Sequence, residues 1–448
     1  MSEFFGKKVL VLGLARSGMA AVKLLHKLGA VITVSEAKAL SDIKELPELE
    51  KMGVRVVNQD KEIFEEDYFL AVKNPGINGN LWFVKRLRER GISVITEIEL
   101  AFMVSASQHY VAITGSNGKT TTSTLAYEII KAQYPDKTLL CGNIGVALCE
   151  MVLQYDLIHN EGYYIVLEIS NFQLVDIVDF CPETAVIINL AADHLDFMGT
   201  EDAYFRSKLR VYENMKKGDL FLFNMDDELI GSYTKEVPVN CDVMTYSLED
   251  STADLYADRE YVYFKGERFF PVSNIKVVGR HNVQNVLVGV ASALKCGVSK
   301  ENIVNAVGSF TGVEHRIEFV REKNGIRFYN DSKGTNVDAT VTALKAFDCP
   351  VILLAGGHEK GLDLSPLKPF LKGVKLLVAY GECGGRIHKE LSDCEGVLTD
   401  NLSLALEEAM KKALPGDVVL LSPTTSSYDQ YSCFEERGEH FKSLVKSL

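Results

Sequence analysis

Val111-Ala-Ile-Thr-Gly-Ser-Asn-Gly-Lys-Thr-Thr121 joins a short apolar run to a glycine-rich turn, and a segment with helical periodicity follows it. The apolar positions of that segment fall at Leu125, Ala126, Ile129 and Ile130. A buried strand that leads through a glycine turn into a helix directs backbone N–H groups at bound phosphates. We therefore predict an α/β fold with a nucleoside triphosphate site in this turn, and ATP is the expected ligand.

The side chains of this turn fit the same ligand. Lys119 would reach the β- and γ-phosphate oxygens, and Thr120 stands where a hydroxyl normally binds Mg²⁺. The pattern departs from G-x-x-x-x-G-K-[ST], because Ile113 occupies the place of the first glycine. In the competing interpretation the glycines serve only a tight turn. The predicted phosphate-binding residues are Gly115, Ser116, Asn117, Gly118, Lys119, Thr120 and Thr121.

Apolar strands alternate with amphipathic helices on both sides of this turn, which is typical of parallel sheets covered on both faces. The predicted strands outside the turn lie at 8–13, 31–35, 110–115, 163–169, 184–190, 219–224, 327–330, 351–356, 376–381 and 418–422. We predict three consecutive domains at 1–103, 104–312 and 313–448. The first is Rossmann-like, the second has a P-loop ATPase-type parallel sheet, and the third is again Rossmann-like.

Composition narrows the classes of function. A net charge of −13 and a pI near 5.3 argue against a nucleic-acid partner, which normally requires a basic surface. The nine cysteines contain no C-x-x-C pair, so we expect thiols in a reducing compartment. No apolar run approaches the ~20 residues of a membrane span. We expect a cytoplasmic monomer.

A second glycine turn follows the first predicted strand. Gly13-Leu-Ala-Arg-Ser-Gly18, with Glu36 at the end of the next strand, is close to the dinucleotide-binding fingerprint. Ala15 replaces the second glycine, whose role is to let the backbone approach a pyrophosphate. This change argues against a dehydrogenase and leaves open both a nucleotide-diphosphate site and simple helix–strand packing.

Glu168 and the segment Asp193-His194-Leu-Asp196 follow predicted strands of the middle region. The carboxyl ends of parallel strands form the ligand-binding edge of an open sheet, so a carboxylate and an imidazole could share a divalent cation there. Asp193 as a helix N-cap and His194 as a surface or core histidine are the alternatives. From the residues alone, Lys208 is a solvated helix lysine.

Further patterns along essentially the whole chain resemble the Mur ligases of peptidoglycan synthesis. They are Gly142-Asn-Ile-Gly145, Leu167-Glu-Ile-Ser-Asn-Phe-Gln-Leu174, Asp193-His-Leu-Asp196, Gly279-Arg-His-Asn282, His315-Arg316, Asn330-Asp-Ser-Lys-Gly-Thr335, Leu421-Ser-Pro423 and Phe434-Glu-Glu-Arg-Gly438. The resemblance implies a three-domain, ATP-dependent amide ligase. Within the family, the segments 330–335 and 422–438 resemble the members that join D-glutamate to UDP-N-acetylmuramoyl-L-alanine.

The resemblance also implies roles for individual residues. Those in catalysis are Lys119, Glu168, His194, Lys208 and Arg316, and the ligands of two Mg²⁺ ions are Thr120, Glu168, His194 and Lys208. Lys208 matches a family lysine that is carbamylated, which would turn a cation into an anionic ligand. Around the nucleotide would lie Asn282, Asn285, Arg316, Asp331 and Lys333. The UDP-linked substrate would contact Leu14, Ala15, Ala37, Lys38 and Asn143, and D-glutamate would contact Thr335, Lys360, Ser427 and Phe434.

Three alternatives remain at this stage. A related ligase could add another amino acid to a muropeptide or glutamate to folate, although the dinucleotide-like first domain argues against folate. A nicotinamide dehydrogenase would leave the turn at Lys119 without a role. A regulatory ATP-binding module would bind ATP without substrate-dependent phosphate release.

Overall fold

The structure, a computed structural model, describes residues 3–59, 61–191 and 198–448. The chain forms two compact units, one of Met1–Asn274 with Gln284–Val307 and the other of Ile275–Val283 with Gly308–Leu448. Strands and helices alternate and build three sheets of five, nine and six strands. The α/β fold class with three successive sheets is thereby confirmed, whereas the domain boundaries at residues 103 and 312 stay predictions.

The first sheet is fully parallel and has the order β3-β2-β1-β4-β5, which is the Rossmann order. Its strands are β1 (Lys8–Leu12), β2 (Val31–Glu36), β3 (Arg55–Asn58), β4 (Leu70–Lys73) and β5 (Ser93–Thr96). Its helices are α1 (Arg16–Lys27), α2 (Leu46–Lys51), α3 (Trp82–Glu89) and α4 (Glu97–Ser105). Strand β1 is apolar and buried beyond its first residue because helices cover both faces of the sheet.

The second sheet has the order β14-β13-β12-β11-β10-β9-β6-β8-β7. Its strands are β6 (His109–Thr114), β7 (Thr138–Gly142), β8 (Tyr164–Glu168), β9 (Thr184–Ile187), β10 (Leu220–Asn224), β11 (Asp242–Ser247), β12 (Leu255–Ala257), β13 (Tyr261–Phe264) and β14 (Glu267–Pro271). All neighbouring strands between β12 and β7 in this order, β6 included, run parallel to one another, and a mostly parallel sheet was predicted. The antiparallel hairpin of β13 and β14 was not predicted; its turn, Lys265-Gly266, has positive φ at both residues.

The helices around the second sheet are α5 (Lys119–Gln133), α6 (Leu148–Gln154), α7 (Asn171–Leu174), α8 (Glu201–Leu209), α9 (Glu228–Glu236), α10 (Arg280–Lys295) and α11 (Lys300–Ser309). The division between the two units falls inside α10, after Val283. Short 3₁₀ helices lie at Leu40–Asp42, Lys61–Phe64, Arg210–Tyr212, Val272–Asn274 and Ser365–Gly373. Within the described ranges, no helix has both the length and the apolarity to cross a bilayer.

The third sheet has the order β15-β16-β20-β17-β18-β19 and is parallel except for the β15–β16 pair. Its strands are β15 (Glu318–Lys323), β16 (Ile326–Asn330), β17 (Val351–Gly356), β18 (Val374–Tyr380), β19 (Gly396–Thr399) and β20 (Val418–Leu421). Its helices are α12 (Val337–Leu344), α13 (Gly384–Glu390), α14 (Leu402–Lys412) and α15 (Phe434–Ser447). In each sheet at least one predicted functional residue lies at or just after the carboxyl end of a strand: Leu14 after β1, Glu168 at the end of β8 and Asp331 after β16.

Candidate functional site

The phosphate-binding turn leaves β6 and enters α5 through two glycines with positive φ. Gly115 has φ 148° and Gly118, the N-cap of α5, has φ 83° in the left-handed region. A Cβ on Gly118 would lie 3.0 Å from Oδ1 of Asn285, which also accepts a hydrogen bond from Thr122 Oγ1 (3.0 Å). The turn therefore needs glycine for both its conformation and its close approach to Asn285.

Two lysine ammonium groups meet at one carbonyl oxygen of this turn. Lys119 Nζ donates to Gly115 O and Ser116 O (2.9 Å each), and Lys208 Nζ donates to Gly115 O (3.0 Å). Lys208 is 1% exposed, and its Nζ lies 4.4 Å from the centre of the Tyr204 ring. The interpretation of Lys208 as a solvated lysine is therefore wrong, because α8 turns this side chain into the core beside the phosphate turn.

The turn is tied to the segment after β9. Ser116 Oγ donates to Ala191 O (2.8 Å) and accepts from Ala191 N (2.9 Å). Asn117 N donates to Asn189 Oδ1 (2.8 Å). Asn189 was not predicted, since its role depends on strand pairing rather than on a local motif. His194, with Asp193 and Asp196, lies outside the described residues.

Glu168 at the end of β8 is a fitting ligand for a cation. It is 2% exposed; Oε1 accepts from Asn143 Nδ2 (2.8 Å), and Oε2 is buried without a hydrogen-bond partner among the described residues. A buried carboxylate oxygen without a donor is costly unless a cation binds it. Thr120, on the first turn of α5, is also buried. The donor types fit Mg²⁺, which prefers oxygen ligands.

The first glycine turn borders a cavity of about 470 Å³ at the carboxyl edge of the first sheet. Glu36 holds this edge together, because its carboxylate accepts from Leu14 N (2.8 Å) and Ala37 N (2.9 Å). The predicted substrate residues Leu14, Ala15, Ala37 and Lys38 all line the cavity. The structure thus brings together the residues that were assigned to the UDP end.

A second cavity of about 280 Å³ shares Ala15, Arg16 and Asn74 with the first and extends to Asn143. Arg16 donates to the carbonyl oxygens of Gly142 and Asn143 (3.4 Å each) and of Gly145. Glu97 also lines this cavity. Burial raises the pKa of Glu97 to about 7, although the Cys149 N–H group and Arg16 partly offset the shift.

Three predicted nucleotide residues of the second unit, Arg316, Asp331 and Lys333, lie around the end of β16. Asp331 is buried and accepts from Ser422 Oγ (2.7 Å) and Ile317 N (3.3 Å). Burial raises the pKa of Asp331 to about 7, against the effect of those bonds and of Arg316. The neighbours of Arg316 have unusual backbones, with φ 63° at His315 and 45° at Ile317, which is strained for a β-branched residue. Asn282, also in this unit, donates from Nδ2 to Val278 O (2.7 Å).

The predicted D-glutamate residues are only partly brought together. Thr335 N donates to Lys333 O (2.8 Å), and Lys333 Nζ lies 5.3 Å from the centre of the Phe434 ring. Ser427 is 2% exposed, in the loop after β20. Lys360 is exposed, in the loop after β17.

The sequence analysis quoted Arg437 within Phe434-Glu-Glu-Arg-Gly438 but assigned it no role; this residue lies on α15. Its side chain is fully buried and joins the loops after β16 and β20, donating to Ser332 Oγ (3.0 Å), Ser332 O (2.8 Å) and Thr425 O (3.2 Å). Thr424 and Ser426 were missed as well; their buried hydroxyl oxygens have no hydrogen-bond partner among the described residues. The run of hydroxyl residues after β20 was the available signal.

Comparison with known proteins gives a consistent result. A family model described as the Mur ligase middle domain matches residues 113–293, and one described as the Mur ligase glutamate ligase domain matches residues 315–425. The UDP-N-acetylmuramoylalanine–D-glutamate ligases of Geobacillus sp. (strain WCH70) and Geobacillus kaustophilus are 39% and 40% identical to this chain. Each alignment covers 99% of this chain and 98% of the relative.

Solved structures share the fold at lower identity. A Thermotoga maritima MurF ligase in complex with ADP has a TM-score of 0.60 at 19% identity, over 100% of this chain and 97% of that one. The UDP-N-acetylmuramate–alanine ligase of the same organism has a TM-score of 0.59 at 19% identity, over 98% and 99% of the two chains.

Proposed function

This chain belongs to the Mur ligase family, and we propose that it joins D-glutamate to UDP-N-acetylmuramoyl-L-alanine in an ATP-dependent step of peptidoglycan synthesis. The observation that carries the specific activity is the identity of about 40% over nearly the whole length of D-glutamate ligases. The geometry supports the reaction class, because the lysine-bearing phosphate turn lies beside a buried carboxylate that lacks a donor.

A carboxylate does not form an amide directly, since oxide is a poor leaving group. In the proposed reaction the L-alanyl carboxylate attacks the γ-phosphorus of ATP, and ADP leaves. The amine of D-glutamate then attacks the carbonyl carbon of the acyl phosphate, and inorganic phosphate departs as the amide forms. The neutral amine loses one proton to solvent in the course of this attack and keeps the other as the amide N–H. Both steps concentrate negative charge, so fixed positive charge at the phosphate turn is the main requirement.

The residues of the first unit divide this task. The ammonium group of Lys119 contacts the γ-phosphate during its transfer, and the backbone N–H groups of Gly115–Thr121 bind the phosphate chain. Thr120, Glu168, His194 and Lys208 would hold two Mg²⁺ ions. Bound Mg²⁺ would offset the repulsion between the carboxylate and the γ-phosphate and stabilise the charge of the tetrahedral intermediate.

Carbamylation of Lys208 accords with its surroundings. Two ammonium groups within hydrogen-bond distance of one oxygen repel each other, and burial strengthens that repulsion. A carbamate on Lys208 replaces one of the two positive charges with a carboxylate-like anion, and this anion supplies oxygen ligands for Mg²⁺.

The remaining roles follow the family pattern. Asn282, Asn285, Arg316, Asp331 and Lys333 surround the nucleotide in this proposal, while Thr335, Lys360, Ser427 and Phe434 bind D-glutamate. Leu14 and Ala15 bind the UDP end, and Asn143 lies along the sugar nucleotide. We further propose that the protein works in the cytoplasm as a monomer.

A substrate screen with phosphate detection tests the proposal. The purified chain is incubated with ATP, Mg²⁺ and UDP-N-acetylmuramoyl-L-alanine, and D-glutamate, L-glutamate, L-lysine or meso-diaminopimelate is added separately. We expect phosphate release only with D-glutamate, together with a product whose mass is that of the amide. Turnover with L-lysine but not D-glutamate would contradict the substrate assignment, and phosphate release without either substrate would contradict ligase activity.

A further inference from the structure

A buried ion pair lies next to a loop that lines both cavities of the first unit. Lys73, the last residue of β4, is 2% exposed, and its Nζ lies 3.2 Å from Asp176 Oδ2. Arg88 on α3 approaches the other carboxylate oxygen, with Nη2 2.6 Å from Asp176 Oδ1. We call these three residues the Asp176 anchor. None of them belongs to the reaction chemistry described above.

The anchor holds the loop at residues 74–81 near both of its ends. Lys73 Nζ also donates to the carbonyl oxygens of Ile77 (2.9 Å) and Asn74 (3.4 Å), so it has three acceptors for its three hydrogens. Arg88 Nη1 donates to Gly79 O (3.1 Å). One carboxylate therefore fixes both cations that organise this loop.

The same loop lines both cavities. Asn74 lines both cavities, Pro75 and Gly76 line the smaller one, and Ile77 lines the larger one. Asp176 itself follows α7, whose residues Phe172 and Gln173 also line the smaller cavity. The anchor thus fixes a loop that lines the space between the first glycine turn and Asn143.

Stability alone does not explain an ion pair at this place. A buried ion pair contributes little more to folding than an apolar pair of similar volume, because both charges lose their hydration. The anchor combines two cations with one carboxylate, and burial lowers the pKa of Lys73 even though Asp176 opposes the shift.

We propose that the Asp176 anchor is a positioning device that fixes the 74–81 loop for the diphosphate-sugar part of the UDP-linked substrate, without a part in phosphoryl transfer. This inference rests on the proposed function. It predicts that damage to the anchor weakens binding of one substrate and leaves the phosphate turn and its chemistry intact.

The test compares Lys73→Met and Asp176→Asn with the wild-type protein in steady-state kinetics. We expect KM for UDP-N-acetylmuramoyl-L-alanine to rise about tenfold in Lys73→Met, the size of one buried polar interaction. Asp176→Asn should also raise this KM, because its single amide oxygen can accept from only one of the two cations. The value of kcat and the KM for ATP and for D-glutamate should stay within about twofold. The double variant should resemble the stronger single variant, since both substitutions remove one interaction.

Lys375→Met is the matched control. Lys375 Nζ lies 2.6 Å from the buried Asp417 Oδ2 in the third sheet, near the amino end of β18 and away from its carboxyl edge. The same substitution there should leave every KM unchanged. If Lys73→Met lowered kcat and raised all KM values by similar factors, its role would be merely structural and the proposal would be wrong. An unchanged KM for the UDP substrate would also overturn the proposal.

A binding measurement separates this inference from the proposed function. Trp82, the only tryptophan, begins α3 directly after the 74–81 loop, so its fluorescence reports on this region. Titration with UDP-N-acetylmuramoyl-L-alanine needs no turnover and remains valid for a variant that is folded but inactive. If the wild-type protein binds this substrate and Asp176→Asn binds it more weakly, the proposed role of the anchor is supported, even if D-glutamate proves to be the wrong amino acid. Absence of wild-type binding would contradict the proposed function itself, and equal binding in both proteins would contradict the anchor.

Discussion

The strand–glycine–helix turns after β1 and after β6 place side chains of opposite charge at the backbone of the turn. Both turns begin with a glycine of positive φ, 82° at Gly13 and 148° at Gly115. At the first turn, the carboxylate of Glu36 accepts from the backbone N–H of Leu14. At the second turn, the ammonium groups of Lys119 and Lys208 meet at the Gly115 carbonyl.

The difference shows that the strand–glycine–helix backbone does not by itself determine which ligand a turn binds. A helix N-terminus favours an anion in either turn, but at the first one a protein carboxylate already takes that place. A second anion there would meet Glu36 at close range, so the Leu14 side of the turn suits a neutral hydrogen-bonding group such as a base. The second turn has excess positive charge and suits a polyphosphate. The residues that face the turn from neighbouring elements therefore select the ligand.

The largest expected effect is that of Lys119→Met. The substitution removes the cation that follows the γ-phosphate but keeps the length of the side chain, so we expect kcat/KM for ATP to fall about 10³-fold. Phosphate release measures the loss. Lys131→Met, near the end of the same helix, is the control and should behave as wild type. Retention of more than a tenth of wild-type activity would show that the second turn does not depend on its lysine.

Lys208→Ala should cost about 10²-fold, the usual loss when a metal site is disturbed. If Lys208 acts as a carbamate, short carboxylates such as formate or acetate should restore part of the activity, because they return an anionic oxygen ligand to the vacated space. Lys119→Ala provides the contrast within the same turn. Formate or acetate should not restore its activity, because this variant has lost a positive charge, which an added anion cannot replace. Equal responses of the two variants, or none from Lys208→Ala, would contradict the carbamate.

The sequence predicted the second turn well because its chemistry lies within consecutive residues. Gly118, Lys119 and Thr120 are adjacent, and the strand before them and the helix after them are strongly patterned. Lys208 could not be interpreted in this way, since its burial depends on how α8 packs against the turn. The same limit applies to Arg437, which joins loops that are distant in sequence.

Strand order and long-range ion pairs were equally out of reach. The parallel direction of the strands in the central sheet follows from the alternation of strands and helices, but their order does not. The β13–β14 hairpin, at the edge of this sheet, interrupts the alternation. Lys73 and Asp176 are 103 positions apart and carry no motif, so only the fold shows that they meet. Glu36 was visible as the acidic end of β2, whereas its bond to Leu14 N was not.

Glu36→Gln tests the charge assigned to the first turn. The amide oxygen can still accept one backbone hydrogen bond, but the charge-assisted part is lost, so KM for the UDP substrate should rise about fivefold while KM for ATP stays constant. Glu45→Gln, on the lining of the same cavity, controls for its overall charge and should have little effect. Tighter binding by Glu36→Gln would mean that the carboxylate repels the ligand and that the diphosphate, rather than the base, faces this turn.

The last expected effect is on the stability of the fold rather than on turnover, and it concerns Glu97, the second carboxyl group near the first turn. Burial raises its pKa to about 7 from an ordinary value of 4.5, and Arg16 of the turn opposes the shift. Between these two values the folded protein keeps a proton that the unfolded chain has released. The stabilising contribution of the protonated group is therefore complete below about pH 4.5 and is lost as the pH rises to about 7, by roughly 3 kcal/mol at most.

Glu97→Gln removes this titration but keeps an oxygen that can accept from the Cys149 N–H group. Urea unfolding of the first unit between pH 5 and pH 8, followed by Trp82 fluorescence, should show a weaker loss of stability with rising pH in the variant than in the wild type. Glu48→Gln, at an exposed surface pair, should keep the wild-type slope. Identical slopes for Glu97→Gln and wild type would mean that Glu97 is ionised in the folded protein. The first turn would then have two charged carboxylates near it, and its contrast with the lysine-rich second turn would be stronger still.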